Sequence, residues 1–523
     1  MSKSHLLSNA HKGHFDAAVQ VFLNYSNSAP EFEKNEELAA DAFENVISIL
    51  ESNFYLNELT ISNFKKILDL KINIHKNLTV FIGENGVGKT SLLEAIRKNL
   101  MWIAATTRKK NTAGGHIDED EVNNMAKQNS IGAYIDCEFR VGMVHKFKGR
   151  VARSPEGVVS DLKSELTEYR ELGQNFRILN SYKNIDLPMF AFYGIDRLQK
   201  AGGKSKSLTL GKIDGYDDSL NSKATFGIFL DWLIQQLKLA KGSEKNLEIE
   251  DIKLQIQSLL EIKANKQEHP LHAVYLKLIS DLKVKNTNYN NLQAQKTIQN
   301  LEVLFKDIYC NLEAIQLINE DDGNDKVAFK LETELIYLHQ FSDGQRVLFG
   351  LIGDIARRLI LLNDSSSNPF EGRGVVLIDE IELHLHPRWQ QKVILILQKS
   401  FPNLQFIVTT HSPHILSTVD KSQIRIIKNN EIEPVILQTK GVASSDILEQ
   451  IMGTHSIPIV DEAQWVYDYL IHVQNNEYES TEAIDLFKKL INHFGDHHPV
   501  ISSIMNQIKI ASIRKRLSKG DRG

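Results

Sequence analysis

Thiols are scarce: Cys137 and Cys310 are the only cysteines among 523 residues. Two thiols in so long a chain exclude a disulfide framework and fit a reducing compartment, where no disulfide is expected. No stretch reaches the roughly 18 uncharged apolar residues that a membrane span needs. The opening MSKSHLLSNAHKGHFD also lacks the continuous apolar segment of a secretory signal. These absences point to a cytoplasmic protein without membrane association. Positive charge is not in excess either. Sixty-one Lys and Arg face 66 Asp and Glu, a net charge of −5, so no chain-wide basic field draws in nucleic acid and only local patches could. With 11 prolines, 42% apolar and 24% charged residues, disordered and collagen-like classes are excluded, and there is material for roughly two to four globular domains.

What is present is a change of pattern along the chain. Residues 1–54 read as an N-terminal helical hairpin, AHKGHFDAAVQVFLNY and NEELAADAFENVISILE about the turn NSAPEF. From residue 55 short β-like runs take over: NELTISNF, LDLKINI and NLTVFIG, the last stopping at a glycine-rich loop before the helix TSLLEAIRKNLMWIAA. A polar stretch near 106–130 reads as an exposed loop, and IGAYIDCEFRV, MVHKFKGRVA and LPMFAFYG read as further strands of a lobe spanning 55–225. Residues 226–320 read as a helical insertion, interrupted by Pro270 and Asn-rich turns and so a compact lid or arm. Strand patterns return in a second lobe, 321–440, and residues 441–523 read as helices. The predicted fold class is α/β, a mixed sheet with flanking helices.

Residues 83–90, GENGVGKT, fit G-x-x-x-x-G-K-S/T between the strand LTVFI and the helix SLLEAIRKNL, which is the setting this motif requires. Glycines let consecutive backbone N–H groups face phosphates, and the helix N-terminus adds partial positive charge. Gly83, Glu84, Asn85, Gly86, Val87, Gly88, Lys89, Thr90 and Ser91 are therefore candidate nucleotide-binding residues. Lys89 would reach the β- and γ-phosphates and Thr90 would offer a hydroxyl to Mg2+, so ATP and Mg2+ are the expected ligands. Residues 375–380, VVLIDE, form an apolar strand ending in two acids. Asp379 is the candidate metal residue, acting through water, and Glu380 the candidate base for the attacking water. Upstream, FSDGQR opens the helix VLFGLIGDIARRLILL; Ser342 reads as its N-cap, and Ser342, Gly344 and Gln345 mark a first turn able to meet an anion. The Asp-Glu pair follows Ser342 by 37 residues, and Thr409-Thr410-His411-Ser412 follows another apolar strand.

In this order the motifs resemble the ABC-type ATPase head shared by SMC, RecF and OLD-family proteins. The phosphate loop is similar to its Walker A, Ser342 to Gln345 to its signature, 375–380 to its Walker B, and His411 to its switch histidine. The run DEIELHLHPRWQ from Asp379 is similar to the D-E-x-E-x-x-L-H-P-x-W-Q segment of that soluble branch. The resemblance covers 55–440 and implies two heads sandwiching two ATPs, with Ser342 and Gly344 of one chain reaching the γ-phosphate held by Lys89 of the other. It makes His411 a second catalytic candidate, contacting that phosphate and positioning water. It also implies a Mg2+-touching glutamine, for which Gln128, Gln174 and Gln199 are all open. Arg197 in FYGIDR matches a Tyr-Gly-x-x-Arg pattern of these ATPases, as a phosphate contact or a structural pair.

His384 and His386 form H-x-H, but their place after Asp379 and Glu380 favours the loop following Walker B over a metal site. His493, Asp496, His497 and His498 read as a solvated turn between helices. Basic clusters at Arg108-Lys109-Lys110, at 200–206 and at 514–516 read as solvated faces, with nucleic-acid contact the alternative, recognisable by steep salt dependence. OLD-type relatives carry a C-terminal nuclease with a D-x-D pair; residues 441–523 hold none, so no nuclease site is expected here. The small residues Ala10, Gly13, Ala17, Ala39 and Ala42 make the N-terminal hairpin similar to a Sel1/TPR-like unit. Together with the head and the tail segment GVASSDILEQIMG, the chain resembles the PtuA family of ATPases from Septu-type and retron-linked bacterial defence systems. That resemblance implies an HNH nuclease partner (PtuB-like) and, in the retron-linked form, a reverse transcriptase with RNA-linked DNA. The alternative is a RecF/SMC-like repair or replication ATPase that clamps DNA directly.

Overall fold

The computed structural model describes residues 2–128, 131–155, 162–196, 211–221, 225–240, 255–260, 269–306, 308–309, 311–319, 325–332, 334–454 and 457–520. The chain forms two compact units, Met1–Val442 and Ala443–Gly523.

Strands in the larger unit are β1 (Phe54–Phe64), β2 (Ile67–Asn73), β3 (Leu78–Ile82), β4 (Ala133–Val141), β5 (His145–Arg153), β6 (Met189–Tyr193), β7 (Leu312–Asn319), β8 (Asp325–Leu331), β9 (Leu335–Tyr337), β10 (Gly374–Ile378), β11 (Leu404–Thr409), β12 (Ile424–Lys428) and β13 (Glu431–Pro434). Six of them form the central sheet in the order β13-β12-β3-β11-β10-β6. All neighbours are parallel except the edge pair β12 and β13. Every residue of β3, β6, β10 and β11 is buried, as expected of a parallel sheet covered on both faces. A second sheet, β2-β1-β4-β5, is antiparallel. The side chain of Gln405 ties the two together, accepting from the Leu56 N–H at 2.8 Å and donating to the Leu56 carbonyl at 2.8 Å.

The helix Lys89–Arg108 packs against the helix Thr167–Tyr182, and Gly173 permits the approach: a Cβ there would sit 2.1 Å from Thr106 Oγ1. The helix Asp343–Leu362 is buried along nearly its whole length. Its buried charged cluster centres on Asp354, which accepts from Arg357 at 2.7 Å, from Arg358 at 2.7 Å and from the Tyr193 hydroxyl of β6 at 3.0 Å. Burial alone would raise the Asp354 pKa, and the charges of Arg358 and Arg357 bring it below the ordinary carboxylate value.

The mixed sheet with flanking helices agrees with the reading of the sequence; several local expectations do not. The N-terminal pair is three helices, Lys3–His11, Phe15–Asn27 and Glu36–Ser52. Gly13, read as a small residue on a helix face, sits at φ 86° in the turn between the first two. The helix Thr167–Tyr182 is not among the elements expected from the sequence, although Tyr169, Leu172, Phe176 and Leu179 recur at helical spacing and are buried. His272–Lys306 is one helix of 35 residues running through Asn286, Asn288, Asn290 and Asn291. Asparagine costs a helix only about 0.6 kcal/mol relative to alanine, too little to break it. The stretch read as helical to its end instead contains β7, which pairs with β8 and β9 in a three-stranded sheet. A bulge between Leu312 and Ala314 sets Leu312 and Ile315 three apart on the buried side, which mimics a helical period.

The smaller unit is built from the helices Ser444–Gln450, Asp461–Gln474, Thr481–Phe494 and Pro499–Gly520. Tyr469, Val473, Ala483, Leu490, Ile501 and Ile504 form its core. Gly495, at φ 85°, ends the third of these helices, and His493 stands edge-on to Trp465. Among the described residues no helix is long and apolar enough to cross a membrane. Cys137 is buried with a free thiol; Cys310 lies outside the described residues.

Candidate functional site

The site forms where β3, β10 and β11 end side by side, the crevice in which open parallel sheets hold ligands. After β3 the chain turns through Gly83, Gly86 and Gly88 at φ 153°, 80° and 106°. The last two are left-handed positions that favour glycine. At Gly83 a Cβ would stand 2.5 Å from the Ile427 carbonyl oxygen, so the loop can pass β12 only without a side chain. Gly88 is the N-cap of the helix Lys89–Arg108 and contributes no side chain there, so the first-turn amides carry no side-chain cap. Glu84, Asn85 and Gly86 are exposed at the tip of the loop, Val87 and Ser91 half-buried at its base.

Lys89 is only 6% exposed, and its ammonium donates to the Gly83 and Glu84 carbonyls at 2.9 and 2.8 Å. Burial lowers its pKa, opposed by the nearby carboxylates of Glu380, Asp379 and Glu382. Thr90 Oγ1 donates to Asp379 Oδ2 at 2.8 Å across 289 residues of sequence. Thr409, at the end of β11, donates its hydroxyl to Asp379 Oδ1 at 2.6 Å and accepts from the Glu380 N–H at 2.8 Å. A hydroxyl and a carboxylate meeting at the first turn of a phosphate-loop helix are the hard oxygen donors suited to Mg2+, so the residues present fit that ion. Glu380 stands at φ 44°, a left-handed conformation rare outside glycine and characteristic of residues held in place for function.

His411 is half-buried and comes to the same edge as Glu380. Its backbone N–H donates to Glu382 Oε1 at 2.5 Å, and the Thr410 hydroxyl donates to Glu382 Oε2 at 2.7 Å. Thr409 and Glu382 stand within the motifs, but their roles do not follow from the motif strings alone. Their partners lie about 30 residues away, and only strand adjacency reveals the link. Glu382→Gln keeps the shape but weakens the hydrogen bond to the His411 amide. It is expected to lower hydrolysis roughly tenfold with little change in ATP affinity, measured as kcat against KM.

Ser342 is the exposed N-cap of the helix Asp343–Leu362. It forms a capping box with Gln345, whose side chain accepts from the Ser342 N–H at 2.9 Å. Gln345 is thus engaged locally. A Cβ on Gly344 would stand 2.7 Å from the His384 carbonyl oxygen, so this turn rests directly on the loop after β10. His384, at φ 65°, shapes that loop, and His386 caps the helix Pro387–Ser400. Among the described residues no group of three or more His, Cys, Asp or Glu is placed to hold a metal. The structure therefore brings together Lys89, Thr90, Asp379, Glu380 and His411. Ser342 to Gln345 open a different helix, with Ser342 and Asp343 exposed and Gly344 buried against the loop after β10.

Beside the loop lies an open cavity of about 760 Å3 lined by Lys65, Lys66, Gly86 and Val87 and also by Asp118 and Glu121. Gln128 lies in the short helix Asn124–Gln128 on that side of the head. Gln174 lines a separate hollow with Trp102, toward the far end of the Lys89–Arg108 helix. Gln199 and Arg197 lie outside the described residues.

A phosphate loop set against a strand ending in Asp-Glu defines a P-loop ATPase. The family model described as AAA ATPase domain matches residues 55–416, and the chain belongs to that family. Among relatives, the chain is 28% identical over 530 residues to the "Retron Ec83 probable ATPase" of Escherichia coli, covering 96% of each chain. It is 30% identical over 427 residues to the "Retron Vc95 probable ATPase" of Vibrio cholerae, covering 77% of this chain and 80% of that one. It is 33% identical over 150 residues to the "Septu protein PtuA" of Bacillus mycoides, covering 29% of this chain and 19% of that one. Within the AAA ATPase-domain family it belongs with the probable ATPases of retrons, and part of it is similar to the Septu protein PtuA.

Proposed function

We propose that the chain binds and hydrolyses ATP as the regulatory subunit of a bacterial anti-phage defence complex. In this reading two heads close around ATP to control an associated HNH nuclease. The observation that carries the ATPase part is the Thr90–Asp379–Thr409 chain of hydrogen bonds, which links the phosphate loop to the strand ends that present Glu380 and His411. Lys89 binds the β- and γ-phosphates, and the loop amides orient them. Glu380 accepts the proton of the attacking water at its carboxylate, and His411, held through Glu382, fixes that water and the γ-phosphate. When bound, Mg2+ neutralises phosphate charge. Support for two heads comes from Ser342: it stands exposed at the start of a helix, on a different element from Lys89, where a neighbouring head's phosphate would meet it. Partners are supported by kinship to ATPases named for retrons and Septu.

Ser342→Arg is expected to leave ATP binding by single chains unchanged while reducing hydrolysis at least about tenfold, since an added side chain at this turn obstructs a second head. An equal ATPase rate would rule out the composite site. Purification of the tagged chain from native expression, with identification of bound proteins and nucleic acid, tests the partners. An HNH protein, with or without a reverse transcriptase and RNA-linked DNA, supports the reading. Bulk duplex DNA retained only with ATP would favour a RecF-like clamp instead.

A further inference from the structure

The helix Lys89–Arg108 has one end at the phosphate loop, and at roughly 1.5 Å per residue its other end lies about 28 Å away. There the chain doubles back. Gly114 and Gly115 lie flat on the helix, with a Cβ on either meeting Trp102 or Lys98 within 2.5 to 2.8 Å. Trp102 Nε1 donates to the Gly115 carbonyl at 2.7 Å. This fold-back suspends Lys110, Asn111 and Thr112 over the helix Thr167–Tyr182 and encloses a hollow of about 460 Å3, also lined by Arg170, Gln174 and Arg177.

No carboxylate is among the lining residues. Among the described residues, Lys110, Arg170 and Arg177 make no ion pair, although acids outnumber bases in the chain as a whole. A cation beside a helix C-terminus has an ordinary explanation, complementing the helix dipole. Arg177 fits it, donating to the Thr106 carbonyl at 2.8 Å. Arg170 instead lies 5.1 Å over the buried Trp102 ring, itself exposed at the lining of the hollow, and Lys110 comes from the exposed loop. Two cations therefore exceed what the helix end needs, and they share one concave surface with the neutral donors Asn111, Thr112 and Gln174.

We propose that this hollow binds the phosphodiester backbone of nucleic acid, with Arg170, Lys110 and Arg177 on successive phosphates and the amide and hydroxyl groups on sugar and phosphate oxygens. Forked guanidinium groups mixed with Asn, Gln and Thr are the contact set that positions nucleic-acid backbones. The inference is independent of head pairing and of the defence reading, because the surface belongs to one chain and lies far from Lys89.

The test is a fluorescence-anisotropy titration of the full-length protein against a labelled single-stranded oligonucleotide across a salt series, with ATPase rates measured in parallel. The variants are the double substitution Lys110→Gln with Arg170→Gln, and Lys110→Glu alone, which leaves Arg170 stacked on Trp102. Loss of two phosphate contacts should flatten the log–log salt slope by about 1.4 and weaken binding roughly 25-fold near 0.1 M salt. ATPase rates without nucleic acid should not change. Unaltered affinity and slope in both variants, or no oligonucleotide binding by the unsubstituted protein, would overturn the proposal. So would displacement of the oligonucleotide by millimolar inorganic phosphate, which marks a small-anion site, or equally by polyglutamate, which marks an acidic protein partner. A fall in ATPase with intact oligonucleotide binding would count against it as well, by placing these residues in head function.

Discussion

Lys89→Ala should bind ATP at least about a hundredfold more weakly than the unsubstituted chain. Hydrogen bonds to charged groups contribute roughly 1.5–3 kcal/mol each. A lysine that turns two such bonds toward phosphates therefore accounts for at least two decades of affinity. Its ammonium already stands between the Gly83 and Glu84 carbonyls, at the centre of the loop that would cradle the phosphates. Titration with a fluorescent ATP analogue measures the loss. Lys89→Met, which keeps the aliphatic stem, should show the same loss and so separate charge from packing. Retained affinity in both would remove the phosphate-loop assignment.

Glu380→Gln should leave ATP affinity within a few-fold and cut turnover by about 10²–10⁴, the usual contribution of a positioned general base. The substitution preserves the side chain's shape, and the backbone strain at Glu380 and its bond to Thr409 do not depend on the carboxylate. If two heads close on ATP, this variant should also accumulate as a pair, visible by light scattering after gel filtration in ATP. Slowed turnover in monomers only would keep the base and discard the pairing. Unslowed turnover would transfer the role to another residue.

The parts of this molecule legible in the sequence are those whose signal is local. GENGVGKT carries its own turn, its own lysine and its own helix start, so the loop can be placed from eight letters. The apolar strands β3, β10 and β11 are equally plain, because buried parallel strands are apolar at nearly every position. What the sequence hides is side-chain traffic between distant segments. Glu382 holding the His411 amide, Thr409 bridging Asp379 and the Glu380 amide, and Gln405 pinning β1 all depend on which strands lie adjacent. Asp354, Arg357 and Arg358 look like an ordinary exposed helical stripe until Tyr193 is brought against them. Local rules also fail where two periods overlap, as at the bulged start of β7, or where a weak helix penalty resembles a break, as in the asparagine-rich middle of His272–Lys306.

One feature of the helix Asp343–Leu362 bears on how two such chains would communicate. Its first turn lies against the His384 carbonyl with no space for a side chain at Gly344, and its middle is bonded through Asp354 to Tyr193. The carbonyl of Tyr193 in turn accepts the N–H of Asp379 at 2.8 Å. The turn that would sense a neighbour's nucleotide therefore has no freedom separate from the residues that would act on its own. In a symmetric pair, whatever binding free energy one nucleotide contributes to the affinity of the opposite site, the second must return to the first in equal measure. If two heads pair on nucleotide as proposed, each would report occupancy as a property of the pair.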